Sequence, residues 1–215
     1  MPTSFRDESE LLRRAREGDD RAFRELVHRY EDRVAATIIG MLGPGPDAED
    51  VGQETFIRLY RSLDSFRGDS SLATYVTRIA INQSLKAIRR RKSWTRRFIR
   101  RDSGSERVEG LESTDTRELP DTGLERDELV RIGLESLTPE QRAVVLLRLI
   151  DGYSTRETAN ILGIAEGTVL SRLSRGLAAM RTKLAPHMRA NEDPRRGAEG
   201  GAEPSAVADQ TEAKR

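Results

Sequence analysis

Apolar residues in this chain recur at steps of three and four, and strand-like alternation is nearly absent, so the pattern predicts an all-α fold. Phe23, Leu26, Val27, Tyr30, Val34 and Ile38 share one face of a helix that follows Asp19-Asp20. Gly43-Pro44-Gly45-Pro46 must break it, because proline lacks an N–H and clashes with the preceding turn. Asp47 is then expected to cap a helix over 48–63. Gly68-Asp69-Ser70-Ser71 forms the next loop and supplies a Ser N-cap. Leu72, Val76, Ile79 and Ala80 point inward from a third helix that continues towards Ile88.

Charge then divides the chain. Nine bases and no acid lie between Lys86 and Arg101, and ten acids face only three bases between Asp102 and Glu128. The acidic stretch is rich in Ser, Thr and Gly and has no apolar period, which predicts a flexible linker. Over 215 residues the charges nearly cancel, with 37 Lys+Arg against 36 Asp+Glu, so no uniformly basic coat exists. The expected layout is a helical domain over 1–101, an acidic linker over 102–130, a second helical domain over 131–185 and a disordered tail over 186–215. Without cysteine, disulfides, thiol catalysis and Cys-ligated zinc are excluded. No apolar run approaches the ~20 residues of a bilayer span, and the N-terminal stretch lacks a signal-type apolar region. A cytoplasmic protein with no membrane insertion is expected.

The second half opens on Thr138-Pro139-Glu140-Gln141, a capping box with Pro at the first helical position, and Asp151-Gly152 ends that helix. Ser154-Thr155-Arg156-Glu157 is a second capping box, starting a short helix that Gly163 terminates. A longer helix follows over 166–184, with Val169, Leu173, Leu177, Met180 and Leu184 as its buried stripe. Short helix, glycine turn and longer helix make a helix-turn-helix. Thr168, Ser171, Arg172 and Arg175 fall on one outward face of the second helix. Arg pairs bidentately with guanine, and Ser and Thr reach phosphates or bases. An ordinary helical hairpin with a solvated basic face fits the spacing equally well.

In the first half, Asp50, Gln53 and Glu54 share a helical face. Helix-start chemistry accounts for acids there, and an acidic contact face for a basic partner is the sharper reading. Asp47, Glu49 and Asp50 make a poor magnesium site, because neighbours on a helix do not converge. The basic run carries Trp94 and Phe98, suiting phosphate contact and base stacking, or a solvated helix end. Phe66-Arg67-Gly68-Asp69 is a loop with an aromatic and an Arg that can hold an unstacked base. No phosphate-binding loop, His-Glu-x-x-His motif or nucleophile–base pair is present, so no enzyme, metal or cofactor is expected.

Together these residues resemble the extracytoplasmic-function group of the sigma-70 family of bacterial RNA polymerase sigma factors. The resemblance covers about Leu11–Lys92 and Leu134–Leu184. It rests on Gly18-Asp19-Asp20-Arg21-Ala22-Phe23, the run Asp47 to Phe56, Leu63-Asp64-Ser65-Phe66-Arg67-Gly68-Asp69, Arg78-Ile79-Ala80-Ile81-Asn82 and the run Glu166 to Leu173, in that order. It implies that the first domain is sigma region 2 and the second, a helix-turn-helix, is region 4. Asp47, Asp50, Gln53 and Glu54 would dock on the beta-prime clamp helices of core polymerase. Phe66, Arg67 and Asn82, with Lys86, Arg89 and Arg90, would take up a flipped base and backbone of melted minus-ten DNA. Thr168, Ser171, Arg172 and Arg175 would read the minus-thirty-five duplex, next to the beta flap. An anti-sigma factor and a stress or envelope response are also implied. Four positions depart from the family pattern: Tyr75 for Trp, Leu170 for Lys or Arg, Ala165 for a capping Ser or Pro, and Val51-Gly52 for Leu-Val. A two-component regulator would require a receiver domain with alternating strands, and none is visible. An anti-sigma-like adaptor would not require the basic recognition face.

Overall fold

The structure is a computed structural model that describes residues 4–102 and 126–191, and the side chains of 8–94 and 126–188. The expected linker over 103–125 and the tail from 192 onward lie outside the described residues. So do the side chains of Arg96, Arg97, Phe98, Arg100 and Arg101 of the basic run. Among the described residues the regular structure is helical, in eight α-helices: α1 Ser4–Arg16, α2 Asp20–Leu42, α3 Pro46–Ser62, α4 Leu72–Asp102, α5 Arg126–Glu135, α6 Pro139–Val145, α7 Thr155–Leu162 and α8 Glu166–Asn191. A 3-10 turn, Leu63–Ser65, follows α3, and a π-helical turn, Leu146–Ile150, follows α6.

Helices α1 to α4 form the first group. Asp19 caps α2 by accepting from the Arg21 and Ala22 amides, and Gly43 closes it at φ 79° with its N–H on the Ile39 carbonyl. The buried stripe of α2 includes Ala22, Leu26, Tyr30, Val34 and Ile38; of the expected face, Leu26, Tyr30, Val34 and Ile38 are buried, and Phe23 and Val27 are half-buried. It meets Val51 and Leu59 of α3 and Leu72, Val76 and Ala80 of α4 in one core. Burying each such Leu or Val contributes about 1.5–3 kcal/mol. The buried hydroxyls of Thr37, Thr55 and Ser84 each donate to a carbonyl one turn back, so none of them is orphaned. Two features differ from the expectation. Asp47 does not cap α3: Gly45 occupies the cap without a side-chain bond, Pro46 starts the helix and Asp47 falls in its first turn. Helix α1, an element not placed from the spacing, adds Leu11 and Ala15 to the core.

Helices α5 to α8 form the second group. Both capping boxes are present, Thr138 with Gln141 and Ser154 with Glu157. Gly163 ends α7 in the left-handed region at φ 64°, where a side chain would be strained. Helix α5 begins at Arg126, inside the stretch expected to be linker, and buries Ile132 and Leu134. Leu177 is exposed, contrary to its place in the expected stripe of α8. Gly176 takes the inward position there, and a Cβ on it would stand 3.2 Å from Val145 Cγ2. Removing that side chain lets α8 approach α6, which turns Leu177 outward. Helix α8 also continues through Pro186 to Asn191, so the tail does not begin at 186. Proline there forfeits one backbone bond without ending the helix.

The two groups meet. Met41 and Ile81 of the first share a core with Leu134, Leu146, Leu147 and Tyr153 of the second. The π-helical turn helps to make this possible. Asp151 donates its N–H to the Leu146 carbonyl, five residues back, and Leu146 and Leu147 both turn inward while Leu149 and Ile150 stay exposed.

Candidate nucleic-acid interface

Three exposed faces hold the residues singled out in the sequence. On α3, Asp47, Asp50 and Gln53 are exposed, and Glu54 is half-buried with its carboxylate 2.7 Å from the Arg58 Nε. The inward stripe of this helix is Ala48, Val51, Thr55 and Leu59, so the acids lie on the opposite side by construction. Ile57 and Tyr60, at 44% and 46% exposed, extend the same outward face. Neither was expected there, although their position off the inward stripe is legible in the spacing. Phe23 supports Tyr60 edge-on, with ring centroids 4.9 Å apart. The face is therefore a polar and acidic patch with an apolar end, on a helix whose far side is locked into the core.

The second face joins the loop after α3 to α4. Phe66 is half-buried: its ring packs against the first core and lies 4.9 Å from the Tyr75 ring. Arg16 of α1 donates to the carbonyls of Leu63 and Phe66 and so ties the loop down. That anchor comes from a helix the sequence pattern did not reveal. Gly68, at φ 79°, makes the turn, and Arg67 is exposed beside it. Ser71 accepts from the Thr74 amide at 3.1 Å and caps α4. Arg78, Asn82, Lys86 and Arg89 then follow at steps of four, four and three, all exposed, with Arg90 adjacent. Tyr75 starts this face, so the Phe66–Tyr75 pair sits two turns, or about 10 Å, from Asn82. Asn82 is exposed and is not an interior partner for buried backbone. The loop and the helix face are thus contiguous: an aromatic floor, an amide that can donate and accept, and a row of cations.

The third face is on α8. Ser171 and Arg175 are exposed, and Thr168 and Arg172 are half-buried. Arg175 folds back on Ser171, with its Nε 3.2 Å from the carbonyl and an Nη 3.3 Å from the hydroxyl. Ser171 in turn donates to the Thr168 carbonyl at 3.1 Å. Ala165 precedes the helix and offers only its carbonyl, which accepts from the Thr168 and Val169 amides. Leu170 is 55% exposed, so an apolar side chain stands on the surface next to the basic face. Val169, wholly buried with Val144 and Ala159, pins the start of α8 to α6 and α7. No group of acids and histidines among the described residues is arranged to hold a metal ion.

Comparison with known proteins converges on one family. Residues 26–95 match Sigma-70 region 2, and residues 133–180 match Sigma-70, region 4. The chain is 37% identical over 185 residues to the ECF RNA polymerase sigma-E factor of Escherichia coli, covering 83% of this chain and 95% of that protein. It is 33% identical over 194 residues to the RNA polymerase sigma-H factor of Pseudomonas aeruginosa, covering 88% and 99%. Among solved structures, CnrH in complex with the cytosolic domain of CnrY aligns with a TM-score of 0.58 at 25% identity, over 84% of this chain and 98% of that one. The sigma factor RpoE of Bartonella quintana, solved with the anti-sigma factor NepR, has the same fold, with a TM-score of 0.57 at 23% identity over 76% and 96%. With regions 2 and 4 in order and identity sustained across nearly the whole of these relatives, the chain belongs to the extracytoplasmic-function group of the sigma-70 family of RNA polymerase sigma factors.

Proposed function

We propose that this sigma factor, which directs promoter-specific transcription initiation by core RNA polymerase, divides the work among the three faces. The acidic face of α3, with Asp47, Asp50, Gln53 and Glu54, docks on the beta-prime clamp helices. Phe66, Arg67 and Asn82 hold an extruded base of the melted minus-ten element, and Lys86, Arg89 and Arg90 hold its backbone. Thr168, Ser171, Arg172 and Arg175 of α8 read the minus-thirty-five duplex beside the beta flap. Helices α1 to α4 then act as region 2, the stretch before α5 as the connection, and helices α5 to α8 as region 4. The observation that supports this division is the exposure of each polar row on a helix whose opposite side is buried. Each row can meet a partner without loss of core.

Melting costs about a few kcal/mol per unstacked step, offset by seating the flipped base. The chain supplies recognition and no catalytic group, and the nucleotide chemistry is the polymerase's. It works where polymerase and DNA are, in the cytoplasm, and no described helix is long and apolar enough to cross a membrane. CnrH and RpoE were solved with the cytosolic domain of CnrY and with an anti-sigma factor, respectively. By analogy an anti-sigma factor holds this chain inactive until a stress or envelope signal. The test is run-off transcription from genomic fragments with purified core polymerase. Discrete promoter-dependent transcripts that require this chain are expected. Duplex binding without core, and no initiation with it, would overturn the proposal.

A further inference from the structure

Helix α8 carries a large apolar side chain beside its polar row. Leu170 is 55% exposed and belongs to none of the hydrophobic cores. A lone exposed leucine needs no explanation on most surfaces. This one has a particular place. Val169, wholly buried, and Gly176, close against Val145, mark the inward side of the helix. With about 3.6 residues per turn, Leu170 then faces outward, on one strip with Gly167 three residues before it and Ser174 four after. Gly167, Ser171 and Ser174 are all exposed, and a Cβ on Gly167 would stand in open space. The strip is therefore low on both sides of Leu170, whose side chain projects from it.

The surroundings bear on what this projection can meet. Ser171 donates to the Thr168 carbonyl and accepts from Arg175 at 3.3 Å, so its hydroxyl is occupied within its own helix. Arg172 and Arg175 lie beyond Ser171, on its far side from Leu170, where they suit a phosphate or a guanine edge. Glu166, exposed one turn before Leu170, sets a negative charge beside it, and a phosphate is a poor neighbour for that end of the strip.

The first turns of a recognition helix meet base edges in the major groove. Guanine, cytosine and adenine present donors and acceptors there, and the thymine C5-methyl is the one apolar group. A leucine side chain has no bond to offer a guanine or cytosine edge and would displace its water without return. Against a thymine methyl, both partners remove apolar surface from water.

Resting on the reading of α8 as the minus-thirty-five helix, we infer that Leu170 is a specificity-determining residue that packs on a thymine methyl in the upstream duplex and so demands an A·T pair at that one position. Gly167 and Ser174, small on either side, let the helix sit close enough for the contact.

The test uses the full chain on core polymerase with a promoter fragment recovered by run-off transcription. Each thymine of the upstream element is replaced in turn by deoxyuridine, which keeps base pairing and removes only the methyl. Wild-type holoenzyme should bind one of these fragments about fourfold more weakly, as expected for the burial of one methyl group. Leu170→Ala should bind the parent fragment more weakly and should not respond to deoxyuridine at that position, because the two groups are coupled. Since Leu170 is exposed, its truncation should leave the unfolding midpoint in place. Indifference of the wild type to every methyl, or a methyl response that survives Leu170→Ala, would overturn the inference. Weaker binding of Leu170→Ala to core polymerase alone, with the methyl response intact, would also overturn it and would place Leu170 against the polymerase. A wild-type holoenzyme that selects no upstream element at all would remove the minus-thirty-five reading itself, and the inference with it.

Discussion

Single side chains on the three faces can be separated from the core by what their loss should do. Asp50 is exposed, and an exposed charge contributes little to stability. Asp50→Lys should therefore weaken binding to core polymerase in a polarisation titration while leaving the unfolding midpoint in place; unchanged affinity would remove α3 from the docking surface. Arg172 is half-buried at the start of α8. Its replacement by Ala should cost ~1–3 kcal/mol and relax the preference at one base pair if it bonds guanine. If it touches only phosphate, affinity should drop evenly across sequences and the salt dependence should flatten. Neither change would mean that the recognition row is misplaced. Asn82 gives the sharpest contrast. Ala has the higher helix propensity, so Asn82→Ala on this exposed face should hold or slightly raise the melting temperature. Preference among minus-ten oligonucleotides should nonetheless disappear. A loss of stability with preference intact would assign Asn82 a structural role.

At the scale of elements, local chemistry governs what the sequence makes legible. Ser154 accepts from the Glu157 amide at 3.2 Å while the Glu157 carboxylate accepts from the Ser154 amide at 2.8 Å. Ser154→Ala should cost about 1 kcal/mol, or ~2–4 °C in a chain of this length, read from the full protein's thermal unfolding. No change would mean that α7 is held by packing alone. The bonds from Ser154 hold the Glu157 carboxyl below its ordinary value. That contribution is present above the unfolded carboxylate range and fades as pH falls through the lowered folded value. Caps of this kind, and the left-handed Gly163, can be read from four or five consecutive residues. So can the outward rows of α3, α4 and α8, which follow from helical period once the inward stripe is known. Helix α5 and the π-helical turn cannot be read this way. The first starts inside a run of acids, and its anchor Leu134 finds its partners far along the chain. The second exists because Leu146 and Leu147 both have an interior to enter, at a surface contributed by residues a hundred positions earlier. Gly40 shows the same limit. Within its helix it is only a weak point, and its close approach to Leu146 emerges once both halves are folded.

For the molecule as a whole, the seam between the two helical groups concentrates the unresolved polar chemistry. Arg148 Nε and Asp151 Oδ2 are buried there without a hydrogen-bond partner in the protein. The Arg148 guanidinium instead donates to the Tyr153 carbonyl, and the charge of Arg33 on α2 acts on the Asp151 carboxyl. Burial pushes the Asp151 carboxyl above its ordinary value, and the Arg33 charge only partly opposes this. The consequence for stability has a definite sign. An acid whose folded value is raised binds its proton more tightly when folded than when unfolded, so its contribution weakens as pH rises from the ordinary carboxylate range to the raised value. At neutral pH the ionised group is a cost that the native state carries. Asp151→Asn keeps the shape and removes the charge, so it should raise the urea midpoint at neutral pH and leave it nearly unchanged at the acidic end. Glu10, Asp19 and Glu157 have lowered values and tilt the wild-type profile the other way. The informative quantity is therefore the difference between variant and wild type at each pH, from which those three cancel. That difference should grow with pH through the window and then level off. A variant that is less stable at neutral pH would show that the Asp151 charge is repaid by Arg33 and Arg148, and that the seam is held by an ion pair rather than strained by a buried carboxylate.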